Sequence, residues 1–224
     1  MIKKIAIITA GGKGSRMGAN LPKQFLLLRE KPVLWHTITA FLNAYNDFNF
    51  VLVVPNDFIL QAFELIKEMQ IADKVIITAG GETRFHSVKN GLAHIKEPSI
   101  VFVHDAVRCL IQPDLIIRCF EQAMQMGSAI PAVGSTDSVR ILIEEGHKPF
   151  DRSKLRIIQT PQTFKSELIL PAFDQEYQDS FTDEATVVET MGNNVHLIEG
   201  DYQNIKITRP IDLLIAQKFL EERN

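Results

Sequence analysis

Between a strand-like run at Ile5-Ala6-Ile7-Ile8 and the tripeptide Pro22-Lys23-Gln24, the chain reads Thr9-Ala10-Gly11-Gly12-Lys13-Gly14-Ser15-Arg16-Met17-Gly18. Glycines directly after a buried strand let backbone N–H groups turn toward a ligand, and the missing Cβ atoms let phosphate oxygens approach them closely. Arg16 can fork to two phosphate oxygens, and Lys23 adds a compact charge. This segment is suited to a polyanion, and it is neither of the two commonest phosphate loops. The order G-x-G-x-x-G fails because Ser15, Arg16 and Met17 separate Gly14 from Gly18. Walker A fails because Lys13 precedes Gly14 and Lys23 follows a proline.

Further polar clusters lie downstream. Gly80-Gly81-Glu82-Thr83-Arg84 with Ser87 opens a helix, where close backbone approach and a hydroxyl suit a flat polar base; a helix cap accounts for Thr83 or Ser87 equally well. His104-Asp105-Ala106-Val107-Arg108 sets a carboxylate at the tip of a buried strand. It can order a magnesium-bound triphosphate or a substrate hydroxyl there, or pair locally with Arg108. Thr160-Pro161-Gln162-Thr163-Phe164, Phe181-Thr182-Asp183-Glu184-Ala185 and Asn204-Ile205-Lys206-Ile207-Thr208-Arg209-Pro210 each read alone as turn and cap chemistry. Thr182 looks like a helix N-cap, and Lys206, between two isoleucines, like an outward strand residue. The six histidines lack zinc-ligand spacing.

The elements that must position these groups follow from periodicity. Apolar runs at Ile5–Ile8, Phe50–Val54, Lys74–Thr78, Ile100–Val103 and Ser128–Ala132 alternate with helix-period segments at Val33–Ala44, Asp57–Met69, Thr83–Ile95 and Pro113–Met126. That alternation predicts a parallel sheet with helices on both faces, and in such sheets ligands sit beyond the carboxyl ends of the strands. The glycine loop, Gly80-Gly81 and His104-Asp105 all fall there. After Pro131 the pattern breaks, and the stretch from Asp137 to Ile158 predicts an inserted β-hairpin whose second strand ends at Ile158. Such a hairpin is marginal alone and calls for a packing partner, a second subunit being one candidate. Val195–Ile198 and Asn204–Thr208 read as short strands, and Ile211–Glu222 as a closing helix.

Composition narrows the field. Of 224 residues, 46% are hydrophobic and 23% charged, enough for one well-buried α/β domain. A formal net charge of −3 argues against a nucleic-acid binder. No apolar run is long enough for a membrane span, and the apolar residues after Met1-Ile2-Lys3-Lys4 read as the first strand rather than a signal sequence. The two cysteines, Cys109 and Cys119, lack metal-ligand spacing, and a reducing cytoplasm is the expected setting.

The run G-G-x-G-x-R-M-G followed by P-K-Q resembles the signature of sugar and polyol nucleotidyltransferases. Joined in order from about Ile5 to Ala216 with Gly80–Arg84 and Ser87, His104–Arg108, Gln159-Thr160-Pro161-Gln162, Thr182–Ala185 and Asn204–Pro210, it is similar to the 2-C-methyl-D-erythritol 4-phosphate cytidylyltransferases of the non-mevalonate isoprenoid pathway. The resemblance implies a Rossmann-like, doubly wound, mostly parallel α/β sheet of nucleotidyltransferase type. It implies a single domain over 1–224 with a dimerisation arm at about 137–158. It also implies in-line attack by the acceptor's phosphate on the α-phosphate of CTP, with magnesium or another divalent cation on the triphosphate and no direct protein ligand to it, except that the ion would pass near Asp105.

By carry-over, Arg16, Lys23, Asp105 and Lys206 would be catalytic, with Arg16 and Lys23 stabilising the transition state. Ala10, Gly11, Gly12, Gly14 and Gly80 would bind the nucleotide, Gly81, Glu82 and Ser87 facing cytosine and Ala106 the ribose. Asp105, Thr182 and Lys206 would meet methylerythritol phosphate or the bridging phosphates, while Arg108, Ser138 and Arg152 would come from the hairpin side of a neighbouring subunit in a homodimer. The chain departs from the family pattern in having Arg108-Cys109 where Arg-Pro is usual, and Asp137-Ser138-Val139-Arg140 where the arm commonly has Asp-Thr and then Lys. Ribitol 5-phosphate cytidylyltransferases share Gly-Gly-Lys-Gly and His104–Arg108, so a pentitol phosphate is the alternative acceptor. A nucleotide-binding module without catalysis is the alternative of another class.

Overall fold

A period of two along the central strands divides the core. The computed structural model describes residues 2–11 and 21–223. Strands β1 (Lys3–Thr9), β4 (Phe48–Val54) and β6 (Ser99–Asp105) lie at the centre of the sheet. Ala6, Ile8, Phe50, Leu52, Val54, Ile100 and Phe102 point to one face, and Ile7, Val51, Val53, Val101 and Val103 to the other. The first face is covered by α1 (Val33–Ala44), α2 (Ile59–Glu68) and α4 (Pro113–Met126). The second is covered by α3 (Arg84–Leu92), α5 (Ser166–Ala172) and α6 (Glu184–Glu189). Strands buried on both faces are why these runs are continuously apolar in sequence.

The order of the sheet creates the crevice. The chain passes from β1 to β4 and on to β5 (Val75–Ala79), all parallel, and then returns to place β6 on the opposite edge of β1. The direction of winding therefore reverses between β1 and β6, which is where open α/β sheets bind ligands. Their register sets Thr9 opposite Asp105 at the carboxyl ends. Beyond β6 the sheet is mixed. β11 (Gln162–Lys165) runs antiparallel between β6 and β7 (Ser128–Gly134), β10 (Arg156–Ile158) is antiparallel to β7, and β12 (Leu197–Glu199) is parallel to it. The structure is the α/β, doubly wound, mostly parallel architecture expected, with seven α-helices among the described residues.

Helices α1 and α4 begin and end where periodicity puts them; Pro113 opens α4 at a position where no N–H is needed. Helix α2 starts at Ile59, after a 3-10 turn at Asn56–Phe58, and α3 ends at Leu92. Inside α3 a glycine, Gly91, lets the helix lie close on the sheet, since a Cβ there would come within 2.7 Å of Ile7 Cγ2 and 3.1 Å of Val53 Cγ2. A small antiparallel pair, β2 (Leu27–Leu28) with β3 (Lys31–Pro32), precedes α1.

The hairpin is present but shorter than expected. Its strands are β8 (Val139–Ile143) and β9 (Gly146–Phe150), forming a separate two-stranded sheet. Arg156–Ile158 belongs instead to the main sheet, because Asp151 caps a 3-10 turn at Arg152–Lys154 that redirects the chain back to β7. Asn204–Thr208 is not a strand: it runs without a ladder, tied to the loop after β6 by Ile207 N donating to Val107 O at 2.9 Å. Helix α7 (Pro210–Glu222) closes over that loop, with Ala216 packed near Val107, Leu110 and Ile207.

Candidate active site

Ala10 directly follows β1 with its N–H on Val53 O at 2.8 Å, and its carbonyl accepts from Gln24 Nε2 at 2.5 Å. Gln24 is buried beside the partly exposed Lys23. The Pro22-Lys23-Gln24 motif is thus fastened to the start of the glycine loop by one side chain. Gly12, Gly14 and Arg16 lie outside the described residues. Gly11 and Gly80 both approach Ser87: a Cβ on either would stand 3.4 or 3.3 Å from its Oγ. Ser87 is buried, accepts from Gly81 N at 3.0 Å and donates to Thr83 O at 3.0 Å. Thr83 is the N-cap of α3, its hydroxyl accepting from His86 N at 3.4 Å. The cap and the loop brace are therefore both present, with Glu82 exposed at the rim.

At the end of β6, Asp105 gathers positive charge. Its Oδ1 accepts from Arg84 Nη1 at 2.7 Å; its Oδ2 lies 3.0 Å from Lys206 Nζ and 3.3 Å from Arg108 Nε. Burial opposes the charge on Asp105, but Arg84, then Lys206 and Arg108, outweigh it and hold the carboxyl well below the usual range. Arg84 Nη2 also reaches Glu184 Oε2 at 3.0 Å, and Nη1 reaches Thr9 Oγ1 at 3.1 Å. Glu184 is 1% exposed, and burial raises its pKa despite Arg84.

A ring of neutral groups supports this cluster. Thr160 Oγ1 accepts from Asp105 N at 3.0 Å and sits 3.1 Å from His104 Nδ1; Asn204 Nδ2 donates to Thr160 O at 2.9 Å. Arg108 Nη1 donates to Asn204 O at 2.8 Å, which carries the polar segment before α7 to the end of β6. His104 is fully buried against Phe41, and desolvation lowers its pKa to about 3. Ala106 is buried, its N–H on Thr9 O at 3.1 Å and its carbonyl accepting from Thr37 Oγ1 at 2.8 Å.

Several expected positions differ. Lys206 does not point away from the fold; it turns to Asp105, because its segment has no ladder to alternate against. Arg108 was expected on the hairpin side, but it lies beside Asp105 of its own chain, in a turn closed by Arg108 N donating to Asp105 O at 3.0 Å. The local Asp105–Arg108 pair and the wider cationic cluster both exist. Thr182 is exposed and precedes Asp183, which is the true N-cap of α6, accepting from Thr186 N at 2.9 Å. Ser138 and Arg152 are exposed at the base of the arm, where Arg152 Nη1 donates to Thr136 O at 2.6 Å. Within the chain neither joins the Asp105 cluster through any of these bonds.

Sequence reasoning assigned no role to Arg84, Glu184, Gln24 or Thr160, although all four stand in motifs that it singled out. Pairing a motif arginine with a motif glutamate was the available signal, but nothing in their spacing says that residues 84 and 184 meet. As for a metal, no three His, Cys, Asp or Glu side chains gather into a metal-binding group among the described residues. Both Asp105 oxygens are engaged by cations, so this carboxylate is a poor donor for a divalent ion.

A crevice at a winding reversal, with Gly11 and Gly80 against Ser87 on one side and a carboxylate wrapped in cations on the other, suits a phosphorylated ligand, and comparison with known proteins makes the assignment specific. The family model described as IspD, 2-C-methyl-D-erythritol 4-phosphate cytidylyltransferase, matches residues 4–222. A relative from Bacteroides thetaiotaomicron, named 2-C-methyl-D-erythritol 4-phosphate cytidylyltransferase, is 45% identical over 98% of this chain and 100% of its own. The solved 2-C-methyl-D-erythritol 4-phosphate cytidylyltransferase of Francisella tularensis is 31% identical with a TM-score of 0.78, covering 96% of this chain and 99% of its own. The 4-diphosphocytidyl-2C-methyl-D-erythritol synthase structure from Anaerococcus prevotii is 25% identical with a TM-score of 0.84, covering 98% and 99%. With sequence, fold and crevice in agreement along nearly its whole length, this chain belongs to the 2-C-methyl-D-erythritol 4-phosphate cytidylyltransferase family.

Proposed function

We infer that the protein transfers the cytidylyl group of CTP to 2-C-methyl-D-erythritol 4-phosphate, giving 4-diphosphocytidyl-2-C-methyl-D-erythritol and pyrophosphate. A phosphate oxygen of the acceptor forms the new bond to the α-phosphorus; the bond to the bridging oxygen breaks, and pyrophosphate leaves with that electron pair. The observation that carries this reading is the family match over residues 4–222. The relatives reported above are named for methylerythritol phosphate, so a pentitol phosphate is not favoured as acceptor.

The roles of single residues are part of this proposal. Arg16 and Lys23 stabilise charge growing on the α-phosphate, and Gln24, bonded to Ala10, orients the segment that carries Lys23. Ala10, Gly11, Gly12 and Gly14 cradle the triphosphate; Gly80, Gly81, Glu82 and Ser87 hold the base, and Ala106 packs by the ribose. Asp105, Arg108, Lys206 and Thr182 receive the acceptor. Magnesium or another divalent cation would enter as part of the metal–CTP substrate, where it neutralises phosphate charge.

We also read the chain as one catalytic domain whose β8–β9 arm joins two copies, setting Ser138 and Arg152 against a neighbour's crevice. Apolar side chains on the arm support this: Leu142 is 85% exposed and Ile143 48%. A cytoplasmic setting fits two buried, unpaired cysteines whose thiols burial pushes up to about 12. No helix among the described residues is long and apolar enough to cross a membrane. The deciding assay is pyrophosphate release from CTP with methylerythritol phosphate and, separately, ribitol 5-phosphate. Release with the first and not the second is expected; equal release would return the acceptor to the wider polyol phosphates.

A further inference from the structure

We propose that Arg84 is a positioning residue that fixes Asp105 and ties the nucleotide loop ahead of α3 to the acceptor-side loop ahead of α6. The acceptor half of this inference rests on the transfer proposed above. Arg84 is the first residue of α3, directly after Gly80-Gly81-Glu82-Thr83, and Glu184 is the first of α6, directly after Thr182-Asp183. The guanidinium spans the gap with two nitrogens: Nη1 on Asp105 Oδ1 at 2.7 Å and Nη2 on Glu184 Oε2 at 3.0 Å. Both carboxylates are nearly closed to solvent, with side-chain exposures of 7% and 2%. A planar fork held at both tines has its orientation set, which a lysine ammonium cannot reproduce.

The two oxygens of Asp105 are thereby unequal. Oδ1 faces Arg84, whose plane is locked, whereas Oδ2 faces Lys206, half exposed on a segment without a ladder, and Arg108 Nε at the longer distance of 3.3 Å. Among the described residues, the charged or titratable groups around Asp105 are Arg84 from α3, Arg108 from the turn after β6, Lys206 from the segment before α7, His104 from β6 itself, and Glu184 of α6 across Arg84. With Arg84 gone, Asp105 would turn toward its remaining cations, and Glu184 would be left buried without its ion-pair partner. The α6 loop, which carries Thr182, would lose its tie to Asp105.

The test compares the full-length protein with Arg84→Gln, Arg84→Lys and Glu184→Gln. In ligand-free protein, the Asp105 carboxyl carbon is titrated by NMR. Its midpoint should rise by about one pH unit or more in Arg84→Gln, and by less in Arg84→Lys, which keeps a charge nearby. With substrates, the KM for methylerythritol phosphate should rise about tenfold in both Arg84 variants while the Kd for CTP stays within about threefold. Glu184→Gln should raise the acceptor KM several-fold, although Glu184 touches Asp105 only through Arg84. A lowered melting temperature with an unmoved Asp105 midpoint and an unchanged acceptor KM would overturn the proposal and leave Arg84 a structural residue. Should Arg84→Gln fail to fold, Arg84→Lys decides alone, since full restoration of the acceptor KM by lysine contradicts the fork. If the wild type makes no pyrophosphate with this acceptor, the transfer reading fails, while the Asp105 titration still judges the hold of Arg84.

Discussion

The crevice between β1 and β6 and the β8–β9 arm both combine charge with apolar surface, but they arrange it in opposite ways. In the crevice, Arg84, Arg108 and Lys206 converge on a carboxylate that their own chain supplies, and the neutral groups behind it are hydrogen-bonded in turn. On the arm, Leu142 and Ile143 project from a two-stranded sheet that the main sheet does not extend, and Arg152 Nη1 donates to a backbone carbonyl at the arm's base. Buried charges need partners within reach before any ligand arrives, whereas an exposed hairpin gains its stability from whatever covers it. Among the described residues, the cations on Asp105 all come from its own chain. The arm is where a second copy would contribute.

Four substitutions or titrations test this contrast. Lys23→Ala should lower kcat about 100-fold while CTP binding changes little, because a charge that meets the α-phosphate mainly in the transition state acts on turnover. Steady-state kinetics beside calorimetric CTP titration measure the split, and unchanged kcat removes Lys23 from the catalytic set.

Asp105→Asn should destabilise the fold by about 2 to 3 kcal/mol in urea, since it leaves three cations facing one another. A loss under about 0.5 kcal/mol would mean that solvent screens the cluster.

Lowering the pH should act on the crevice through His104. It stays neutral in the fold, with a pKa near 3, and takes up a proton in the unfolded chain near 6.5. Stability is therefore full above about 6.5 and falls toward 3, by about 2 kcal/mol between pH 7 and pH 5. Urea unfolding across that range should show this slope, and His104→Gln should flatten it.

The smallest effect belongs to the arm. Leu142→Ser should leave the unfolding free energy of dilute protein within about 0.5 kcal/mol of wild type while weakening self-association. Sedimentation read beside urea unfolding separates the two; a variant that associates as well as the wild type would detach Leu142 from the interface. As a companion test, inactive Lys23→Ala and Arg152→Ala should regain up to half of wild-type activity when mixed and allowed to exchange subunits. No recovery after verified exchange would put Arg152 to work within its own chain.

The parts that sequence reveals well are those governed by local rules. Continuous apolar runs identify doubly covered strands, and Pro113 marks a helix start, so β1, β4, β6, α1 and α4 could be read directly. The hairpin's second strand is misplaced by sequence because the short run Arg156-Ile157-Ile158 reads as a strand whether it pairs with β8 or with β7. The strand expected at Asn204–Thr208 fails for a related reason: alternation implies a strand only where a ladder exists. In the crevice, Asp105 could be found from its place at a strand end. Its ties to Arg84 and, through it, Glu184 depend on strand order and loop length, which no short motif encodes.

Gly91 has a mechanical consequence. It stands at the point where α3 rests on Ile7 and Val53, and Arg84 lies seven residues nearer the helix start, about 10 Å along the axis. The helix acts as a beam with its fulcrum on the sheet and its working end at Asp105. Adding a methyl group at the fulcrum would lift the beam and alter the reach of the guanidinium without touching any group in the crevice. Gly91→Ala is thus expected to shift the spacing of charges at the opposite end of the helix, like a screw turned at the far end of a lever.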